Sequence, residues 1–305
     1  DLVPAGTLRG EWRLDFPMRE IASWRAGGAL TYAYAPKDTL DVSRLLSVLP
    51  EEMPVVFIGN ATNMLVVDSG FDGVGILLPE VVKNANRGLN DERMIYMEAG
   101  CLSVFAGVSC ARAAYAALEN GLAGLEFLSG IPGTIGGALT MNAGCHGSAI
   151  WQFVDRVETV DRAGRRRLRT ASEFTAGYRE VLPNHAGVEW FLRAFFRLCP
   201  ETKTVIQERM QMLSAWRKAH QPLQWPSAGS VFRNPAGDAA GRLIEECGFK
   251  GLRIGDAEVS LQHGNFILNK GQATAEDILT LIDRVQSGVR EKTGITLKLE
   301  VHVLR

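Results

Sequence analysis

The sequence lacks the features of a membrane or secreted protein. We find no uninterrupted apolar run of transmembrane length and no cleavable apolar signal segment. Cysteine is scarce and odd in number, and no two cysteines have CxxC spacing (Cys101, Cys110, Cys145, Cys199, Cys247). This pattern predicts reduced thiols in a cytoplasmic protein and excludes a disulfide framework or a zinc site.

An excess of charge of one sign is also absent. The net charge of −1 at pH 7 gives no electrostatic reason to expect a nucleic acid or a membrane surface as partner. Hydrophobic residues make up 46% of the chain and charged residues 22%, which argues against global disorder. A chain of 305 residues can bury a substantial core and has room for two domains, or three. We give Asp1 to Thr7 no structural weight.

Glycine, in contrast, is concentrated in one stretch. Six glycines fall between Gly124 and Gly144, and Pro132 interrupts them. Glycine is used where φ is positive or where a backbone must approach something closely. The density favours main-chain N–H groups turned toward one ligand, such as a phosphate or pyrophosphate, although a tight buried connection would use glycines equally. The stretch is neither a Walker loop nor the GxGxxG turn of a Rossmann unit.

Other segments carry helix patterns. We expect a helix capped by Asp38 and running to about Leu49, another over about 202–219, and a third starting at Thr274 and ending at Gly294. Apolar residues at helical spacing around Tyr115 predict that this side chain belongs to the core.

The run GLEFLSGIPGTIGGALTMNAG, starting at Gly124, resembles the flavin-binding segment of the UDP-N-acetylenolpyruvoylglucosamine reductases of bacterial peptidoglycan synthesis. Three further segments narrow the match within the wider group of vanillyl-alcohol-oxidase-like flavoproteins: GYRE at 177–180, PSAGSVFRNP at 226–235 and ITLKLEVHVL at 295–304. The resemblance runs from about Ile21 to Leu304. The chain is similar to the shorter branch of the family, which has no substrate-capping insertion.

The resemblance implies an α+β fold with two parts. A two-subdomain FAD-binding domain of the vanillyl-alcohol-oxidase type would be followed by a smaller α+β substrate-binding domain. We expect an amino-terminal extension at 1–20, the FAD-binding domain at 21–200 with subdomains of about 21–80 and 81–200, and the carboxy-terminal domain at 201–305.

The resemblance also assigns contacts with non-covalent FAD. They lie in two segments: Gly59, Asn60, Ala61, Thr62 and Asn63, and then Ile131, Pro132, Gly133, Thr134, Gly136, Gly137, Asn142 and Ala143. The family usually has a second glycine and a serine where this chain has Ala61-Thr62, so we expect a stiffer loop that keeps a hydroxyl. Without the resemblance, the first segment would be interpreted as a plain hairpin turn. Cys145-His146 raises the question of covalent flavin attachment, but the resembled reductases bind FAD without it, and we expect His146 to lie beside the flavin.

Three catalytic residues follow from the resemblance alone. Arg179 would bind an anion near the flavin, Ser230 would be the catalytic serine, and Glu300 would belong to the active site. By themselves these residues would be a surface arginine, a turn serine and a solvent-facing glutamate. Alternating residues over 295–303 predict a strand that points Glu300 away from its apolar face.

The implied reaction reduces UDP-N-acetylglucosamine enolpyruvate to UDP-N-acetylmuramate, with FAD as cofactor and NADPH as co-substrate. Weaker candidates for substrate contacts are Tyr178, Arg233 and Asn234; the family often has lysine at the position of Arg233. Two alternatives stay open: another flavin oxidoreductase of the same superfamily, or a flavin- or nucleotide-binding protein without catalysis. We expect no metal, nucleic acid, membrane or obligate protein partner.

Overall fold

The computed structural model describes residues 8–79 and 94–305, so Asp1 to Thr7 lie outside the described residues. Within them, the α-helices are α1 (Thr39–Val48), α2 (Cys110–Glu119), α3 (Ile135–Thr140), α4 (Lys203–His220), α5 (Ala240–Glu246) and α6 (Ala275–Thr293). Short 3₁₀ helices cover Met18–Glu20, Glu126–Gly130, Ile150–Gln152 and Ala171–Glu173.

The strands are numbered in chain order. They are β1 (Glu11–Pro17), β2 (Ala29–Ala35), β3 (Val55–Ile58), β4 (Met64–Val66), β5 (Phe71–Leu77), β6 (Ile95–Glu98), β7 (Cys101–Phe105), β8 (Leu122–Ala123), β9 (Gly144–Cys145), β10 (Ser148–Ala149), β11 (Val154–Asp161), β12 (Arg166–Thr170), β13 (Phe174–Gly177), β14 (Glu180–Pro183), β15 (Glu189–Phe196), β16 (Cys199–Pro200), β17 (Arg253–Ile254), β18 (Ala257–Val259), β19 (Ile267–Asn269) and β20 (His302–Leu304). This mixture of helices and strands confirms the α+β prediction.

The chain forms two compact units, each assembled from separate stretches. The described residues of the first unit come from Asp1–Arg13, Tyr32–Asn60 and Gly73–Ala215. Those of the second unit come from Leu14–Thr31, Ala61–Asp72 and Trp216–Arg305. The units therefore differ from the linear domains predicted near residues 20 and 200. One reason is that β4, early in the chain, pairs in parallel with the carboxy-terminal β20.

The first unit contains a five-stranded antiparallel sheet in the order β12-β11-β15-β7-β6. Helix α2 begins at its N-cap Ser109, whose side chain accepts a hydrogen bond from the Arg112 N–H at 3.3 Å. Its small buried residues, including Ala113 and Ala117, belong to the hydrophobic core that also contains residues of this sheet. The predicted burial of Tyr115 is wrong: the side chain is 57% exposed, because it lies on the outer face of the helix.

A four-stranded sheet has the order β1-β2-β5-β3, and β3 pairs in parallel with β5. Helix α1 connects β2 to β3 and begins where predicted, because the Asp38 carboxylate accepts the Asp41 N–H at 2.9 Å. Val42, Leu45 and Leu46 on its inner face are buried, which fixes the helix to the core of the first unit.

A buried carboxylate holds the start of α1 in place. Asp41 is fully buried and accepts hydrogen bonds from the Tyr34 hydroxyl at 2.6 Å, the Lys37 N–H at 2.9 Å and the Arg9 N–H at 2.9 Å. Burial alone would raise the pKa of the Asp41 carboxyl, but these donors together hold the pKa below its usual range. Burial and the same carboxylate raise the pKa of Tyr34, so the tyrosine stays a donor.

The second unit packs α5 and α6 beside the antiparallel sheet β17-β18-β19. Helix α6 begins at its predicted cap: Thr274 Oγ1 accepts the Asp277 N–H at 3.0 Å, and the Asp277 carboxylate accepts the Thr274 N–H at 3.0 Å. It ends at Gly294, which has φ +75°.

The carboxy-terminal strand is shorter than predicted. The sequence predicts a strand over 295–303, but β20 begins only at His302, and Leu299 makes a single isolated bridge to Phe232. The alternation itself is retained, because Leu297 and Val301 are buried while Glu300 is half-buried. None of the helices among the described residues has the length and apolar character needed to cross a membrane.

Candidate functional site

Two glycine-containing segments of the first unit meet at Thr134. A Cβ atom placed on Gly59 would lie 2.4 Å from Thr134 Oγ1, so the turn after β3 lies directly against the start of α3. Among the described residues, no hydrogen-bond acceptor is found for the backbone N–H groups of Gly59, Asn60, Gly133 and Thr134. Such amides normally have partners, so this amide cradle (the four N–H groups) fits the oxygen atoms of a phosphate or pyrophosphate.

The two neighbouring glycines of α3 have different roles. The Gly136 N–H donates to the Ala106 carbonyl at 2.8 Å, and a Cβ on Gly136 would lie 3.1 Å from the Ala106 Cβ. Gly136 therefore allows the helix to pack closely. A Cβ on Gly137 would meet only Thr134 Oγ1, at 3.7 Å, so Gly137 leaves space open for a ligand.

The remaining predicted FAD contacts in this segment cannot offer backbone donors. The Ile131 N–H donates to Leu128 and the Ala143 N–H to Ala138, while Pro132 has no N–H. Any contact of these three residues with FAD must therefore use carbonyl or side-chain atoms.

Asn142 connects the glycine-rich segment to the Arg179 turn. Its side-chain Nδ2 donates to the Gly177 carbonyl at 2.8 Å, and its Oδ1 accepts the Trp151 N–H at 3.3 Å. The backbone of Asn142 has φ +42°, which is uncommon outside glycine but more readily adopted by asparagine. The predicted cofactor residue is thus also a support for the strand end that precedes Arg179.

Cys145 and His146 belong to a tight hairpin. β9 and β10 pair Cys145 with Ser148, which leaves His146 and Gly147 as a two-residue turn with φ +53° and φ +81°. Two positive φ values are what a type I′ hairpin turn requires. His146 is exposed, so the structure gives this pair a turn role and offers no support for covalent flavin attachment.

Arg179 lies at the tip of the β13–β14 hairpin. Gly177 pairs with Glu180, so Tyr178 and Arg179 form the turn, and Arg179 has φ +57°. Its guanidinium carbon lies 5.3 Å from the centre of the exposed Tyr178 ring, within cation–π range. A left-handed arginine costs free energy, so the turn holds this residue in a strained conformation.

Ala61, Thr62 and Asn63 belong to the second unit. Ala61 is buried and has φ +47°, the conformation that the glycine usual in the resembled family would adopt without strain. At this position the chain therefore has an alanine in a left-handed backbone conformation. Asn63 donates from Nδ2 to the Glu300 carbonyl at 3.0 Å, and its own carbonyl accepts the His302 N–H at 3.0 Å.

Ser230 and Glu300 lie on adjacent backbones in the second unit. The Glu300 N–H donates to the carbonyl of Val231, the residue after Ser230, at 2.8 Å. The Arg233 N–H donates to the Lys298 carbonyl at 2.8 Å, so the two segments run antiparallel. The structure thus brings together two of the three residues predicted to be catalytic. Both side chains are half-buried, so each is partly shielded from water.

The two weaker substrate candidates in this segment differ. Asn234 accepts the Ala240 N–H on Oδ1 at 3.0 Å, and therefore helps to start α5. Arg233 has a buried Nε without a hydrogen-bond partner among the described residues. An unpaired guanidinium N–H in the segment that carries Ser230 is suited to an anionic ligand.

The chain was compared with known proteins. A family model for the carboxy-terminal domain of UDP-N-acetylenolpyruvoylglucosamine reductase matches residues 221–304, and one for an FAD binding domain matches residues 31–168. The chain is 46% identical over 304 residues to the UDP-N-acetylenolpyruvoylglucosamine reductase of Nitrosomonas eutropha, covering 97% of this chain and 90% of the relative. It belongs to the UDP-N-acetylenolpyruvoylglucosamine reductase family.

Further members of this reductase family agree in length and fold. The relative from Thiobacillus denitrificans is 42% identical over 98% of this chain and 94% of its own length. A crystal structure of the reductase from Thermus caldophilus matches with a TM-score of 0.79 and 34% identity, over 98% of this chain and 100% of that chain. The resemblance drawn from the sequence motifs is confirmed.

One cleft of the described structure is lined by residues outside the reductase motifs. It has a volume of about 560 Å³ and is lined in the first unit by the end of α1, the β11–β12 turn and the residues before β15. Four arginines border it, but they are already engaged. Arg162 donates to the Leu46 and Met53 carbonyls at 3.3 Å each, and Arg169 forms an ion pair with Glu189 at 2.6 Å. No group of three or more metal-ligating side chains occurs in the described part of this reductase-family chain.

Asn265, near the serine segment, was not predicted from the sequence. It is buried and makes hydrogen bonds to both residues that follow Ser230. It lies 33 positions after Phe232 in the chain, and nothing in its local pattern distinguishes it from an asparagine in a turn.

Proposed function

We propose that this protein is an FAD-dependent reductase that uses NADPH to convert UDP-N-acetylglucosamine enolpyruvate into UDP-N-acetylmuramate. The observation that carries the proposal is the antiparallel pairing of the Ser230 and Glu300 segments in the second unit. This pairing occurs in a chain whose first unit has an amide cradle suited to a pyrophosphate. Names of relatives support the same reaction. The five free cysteines support a cytoplasmic location.

The amide cradle and the open face of Gly137 would hold FAD. The four N–H groups would donate to the pyrophosphate. The Thr134 side chain stabilises the start of α3, because its Oγ1 accepts the Gly137 N–H at 3.4 Å. When bound, FAD carries a hydride from NADPH to C3 of the enolpyruvyl double bond. The chain's own residues bind the substrate, stabilise its charge and supply the proton.

Arg179 and Glu300 would stabilise the charge that develops on the substrate. Addition of a hydride at C3 moves electrons to C2 and into the carboxylate, which gives an enolate-like dianion. The Arg179 guanidinium, presented at a strained hairpin tip, offers fixed donors to those oxygens. We assign the donor role of Glu300 to its protonated form, since a carboxylate would repel the same charge.

Ser230 would deliver a proton to C2. Serine is a weak acid in water, but C2 of the dianion is strongly basic, and neighbouring donors lower the cost of the alkoxide. Transfer of hydride to C3 and of the proton to C2 completes the saturated lactyl group. Arg233 and Tyr178 are the candidates for contacts with the diphosphate; the side-chain carbonyl of Asn234 is already engaged at α5.

The reaction is tested by a visible absorption spectrum under anaerobic conditions. A flavin spectrum that NADPH bleaches, and that UDP-N-acetylglucosamine enolpyruvate restores, is the expected result. Bleaching that oxygen reverses but the enolpyruvyl compound does not would instead indicate another flavin oxidoreductase. A protein that neither retains nor rebinds FAD would contradict the proposal entirely.

Substitution Ser230→Ala separates the two half-reactions. We expect flavin reduction by NADPH to stay within about twofold of wild type, while reoxidation by the enolpyruvyl substrate slows by about 10²- to 10⁴-fold, the usual contribution of a general acid. Stopped-flow absorbance measures both rates. Ser227→Ala, in the same segment, is the matched control and should change neither rate. Equal slowing of both half-reactions by Ser230→Ala would exclude Ser230 as the proton donor.

A further inference from the structure

The residue immediately before Ser230 has open space beside it. Gly229 precedes it with φ +75°, and a Cβ placed on Gly229 would meet nothing within 4 Å. The open space is confined to Gly229, since Ala228 before it is buried. The residues that follow the serine, Val231 and Phe232, are fully buried and adjoin Ser230 directly, so they can set the position of its hydroxyl.

Asn265 makes hydrogen bonds to both of these residues. Its Oδ1 accepts the Phe232 N–H at 2.9 Å, and its Nδ2 donates to the Phe232 carbonyl at 2.8 Å. Its backbone carbonyl accepts the Val231 N–H at 3.0 Å. One residue thus satisfies three backbone polar groups of the segment: the Val231 N–H, the Phe232 N–H and the Phe232 carbonyl.

The orientation of Asn265 is itself fixed. The residue is 3% exposed, and its N–H donates to His263 Nδ1 at 3.2 Å. Burial lowers the pKa of His263, which keeps that nitrogen available as an acceptor. An amide that makes two hydrogen bonds to one residue also fixes register, because a shift by one position would leave buried donors and acceptors unpaired.

The opposite side of the segment is held by backbone hydrogen bonds. Glu300 donates to Val231, and Arg233 donates to Lys298. The serine segment therefore lies between the Glu300 segment on one side and Asn265 on the other. Loss of the asparagine contacts would free the segment to move relative to Glu300.

We propose that Asn265 is a positioning residue for Ser230: by clamping Val231 and Phe232, it holds the serine hydroxyl at the point from which the proton is delivered. This inference rests on the proposed function of Ser230. Asn265 touches neither the reacting atoms nor the cofactor in this role. Its contribution to the rate passes through Ser230.

The test uses the holoenzyme with Asn265→Asp. The substitution keeps the shape and the acceptor for the Phe232 N–H, but replaces the donor to the Phe232 carbonyl with an oxygen. We expect reoxidation by UDP-N-acetylglucosamine enolpyruvate to slow by about 10- to 100-fold, the scale of a small misplacement of a catalytic group, while reduction by NADPH is unchanged. The solvent deuterium isotope effect on reoxidation should rise, because proton transfer becomes more rate-limiting.

A double-mutant cycle with Ser230→Ala gives the decisive comparison. If Asn265 acts through Ser230, Asn265→Asp should cost less than about threefold when the serine is absent. The same cost in both backgrounds would overturn the inference. If Ser230→Ala itself leaves reoxidation unaffected, the proposed role of Ser230 fails first, and the two failures are thereby distinguished.

Asn269 provides a matched control. It is similarly buried, and its side chain makes three hydrogen bonds where that of Asn265 makes two: to the Trp24 carbonyl at 2.8 Å and to the Gly271 and Ala273 N–H groups at 3.0 Å. Asn269→Asp should lower the melting temperature without changing the ratio of the two half-reaction rates. If Asn265→Asp does not fold, Asn265→Ser retains one hydrogen-bonding group and serves in the same cycle. An Asn265 variant that behaves like Asn269→Asp would show a purely structural role.

Discussion

The amide cradle of the first unit and the serine segment of the second are built by different means. The cradle consists of backbone N–H groups, and its geometry follows from glycines that allow close approach, as at Gly59 against Thr134. The serine segment depends on a side-chain amide, Asn265, that comes from a remote part of the chain. A backbone site therefore fails when a side chain is added, whereas a clamped segment fails when one is removed.

Of the substitutions that compare these two regions, Gly59→Ala, which tests the cradle, is expected to have the largest effect. Its Cβ would lie 2.4 Å from Thr134 Oγ1, so either the turn or the threonine must move. Overpacking of this kind costs about 1–3 kcal/mol. If the free protein relieves the clash by moving the turn, that cost appears as FAD affinity lower by about 10- to 100-fold. Titration of the apoprotein with FAD, followed by fluorescence, measures the change.

Gly288→Ala is the control for this experiment. Its Cβ would lie 2.2 Å from the Phe249 ring, within the second unit and away from any predicted FAD contact in the sequence. We expect lower stability with unchanged FAD affinity. If both variants lose affinity alike, the effect of Gly59→Ala is general destabilisation and not damage to the cradle.

The Asp41 network is a second case in which one buried side chain holds backbone in place by hydrogen bonds. It lies in the first unit and holds no predicted catalytic residue, so it can be compared with Asn265. The Asp41 carboxylate accepts three hydrogen bonds. In Asp41→Asn, one of the two accepting oxygens becomes an NH₂ group, which is itself a donor and would face a donor. We expect a loss of about 2 kcal/mol in the free energy of unfolding at pH 7, with both half-reaction rates unchanged in the folded protein. Urea denaturation and stopped-flow absorbance provide the two measurements.

The same variant has a predictable pH dependence. The folded-state pKa of Asp41 is lowered, so the carboxylate stabilises the fold above its unfolded pKa of about 3.9. That contribution is lost as the pH falls from there through the lower folded pKa. The difference between wild type and Asp41→Asn should therefore narrow below about pH 4. A difference that stays constant down to pH 2 would show that the carboxylate charge is not what stabilises α1.

Features set by neighbouring residues could be predicted from the sequence, whereas contacts between remote residues could not. Glycines, helix caps and motifs are local, so the sequence predicted the cap at Asp38, the capping box of Thr274 and the glycine-rich segment. The family resemblance placed Ser230 and Glu300 in one site, and the structure pairs their backbones. Their catalytic roles stay predictions until the kinetics are measured.

Long-range contacts were not visible in the sequence. Helical spacing cannot tell which face of α2 meets the core, which is why the burial of Tyr115 was predicted wrongly. Alternation predicted the buried positions around Glu300 but not the extent of β20, because a strand also needs a partner. Asn63, predicted only as a cofactor contact, also binds the backbone of Glu300 across a long sequence separation.

The smallest effect is expected from two alanine-to-glycine substitutions that compare a buried loop with an exposed one. Ala61 and Ala99 have nearly the same left-handed backbone, with φ +47° and φ +48°, but Ala61 is buried and Ala99 is exposed. Relief of left-handed strain contributes about 1–2 kcal/mol, and the added freedom of glycine in the unfolded chain costs about 0.5–1 kcal/mol. Ala99→Gly should therefore stabilise the protein by about 0.5–1 kcal/mol.

For Ala61→Gly, the loss of a buried methyl group must also be counted. The buried methyl group contributes about 0.8 kcal/mol, so its loss should cancel most of the gain and leave the stability nearly unchanged. Parallel urea denaturation of the two variants measures the difference. If Ala61→Gly stabilises as much as Ala99→Gly, the Ala61 methyl group makes no net contribution. In that case, packing of the Ala61 methyl group would not offset the strain of its left-handed backbone. The alanine at this position would then need an explanation other than packing.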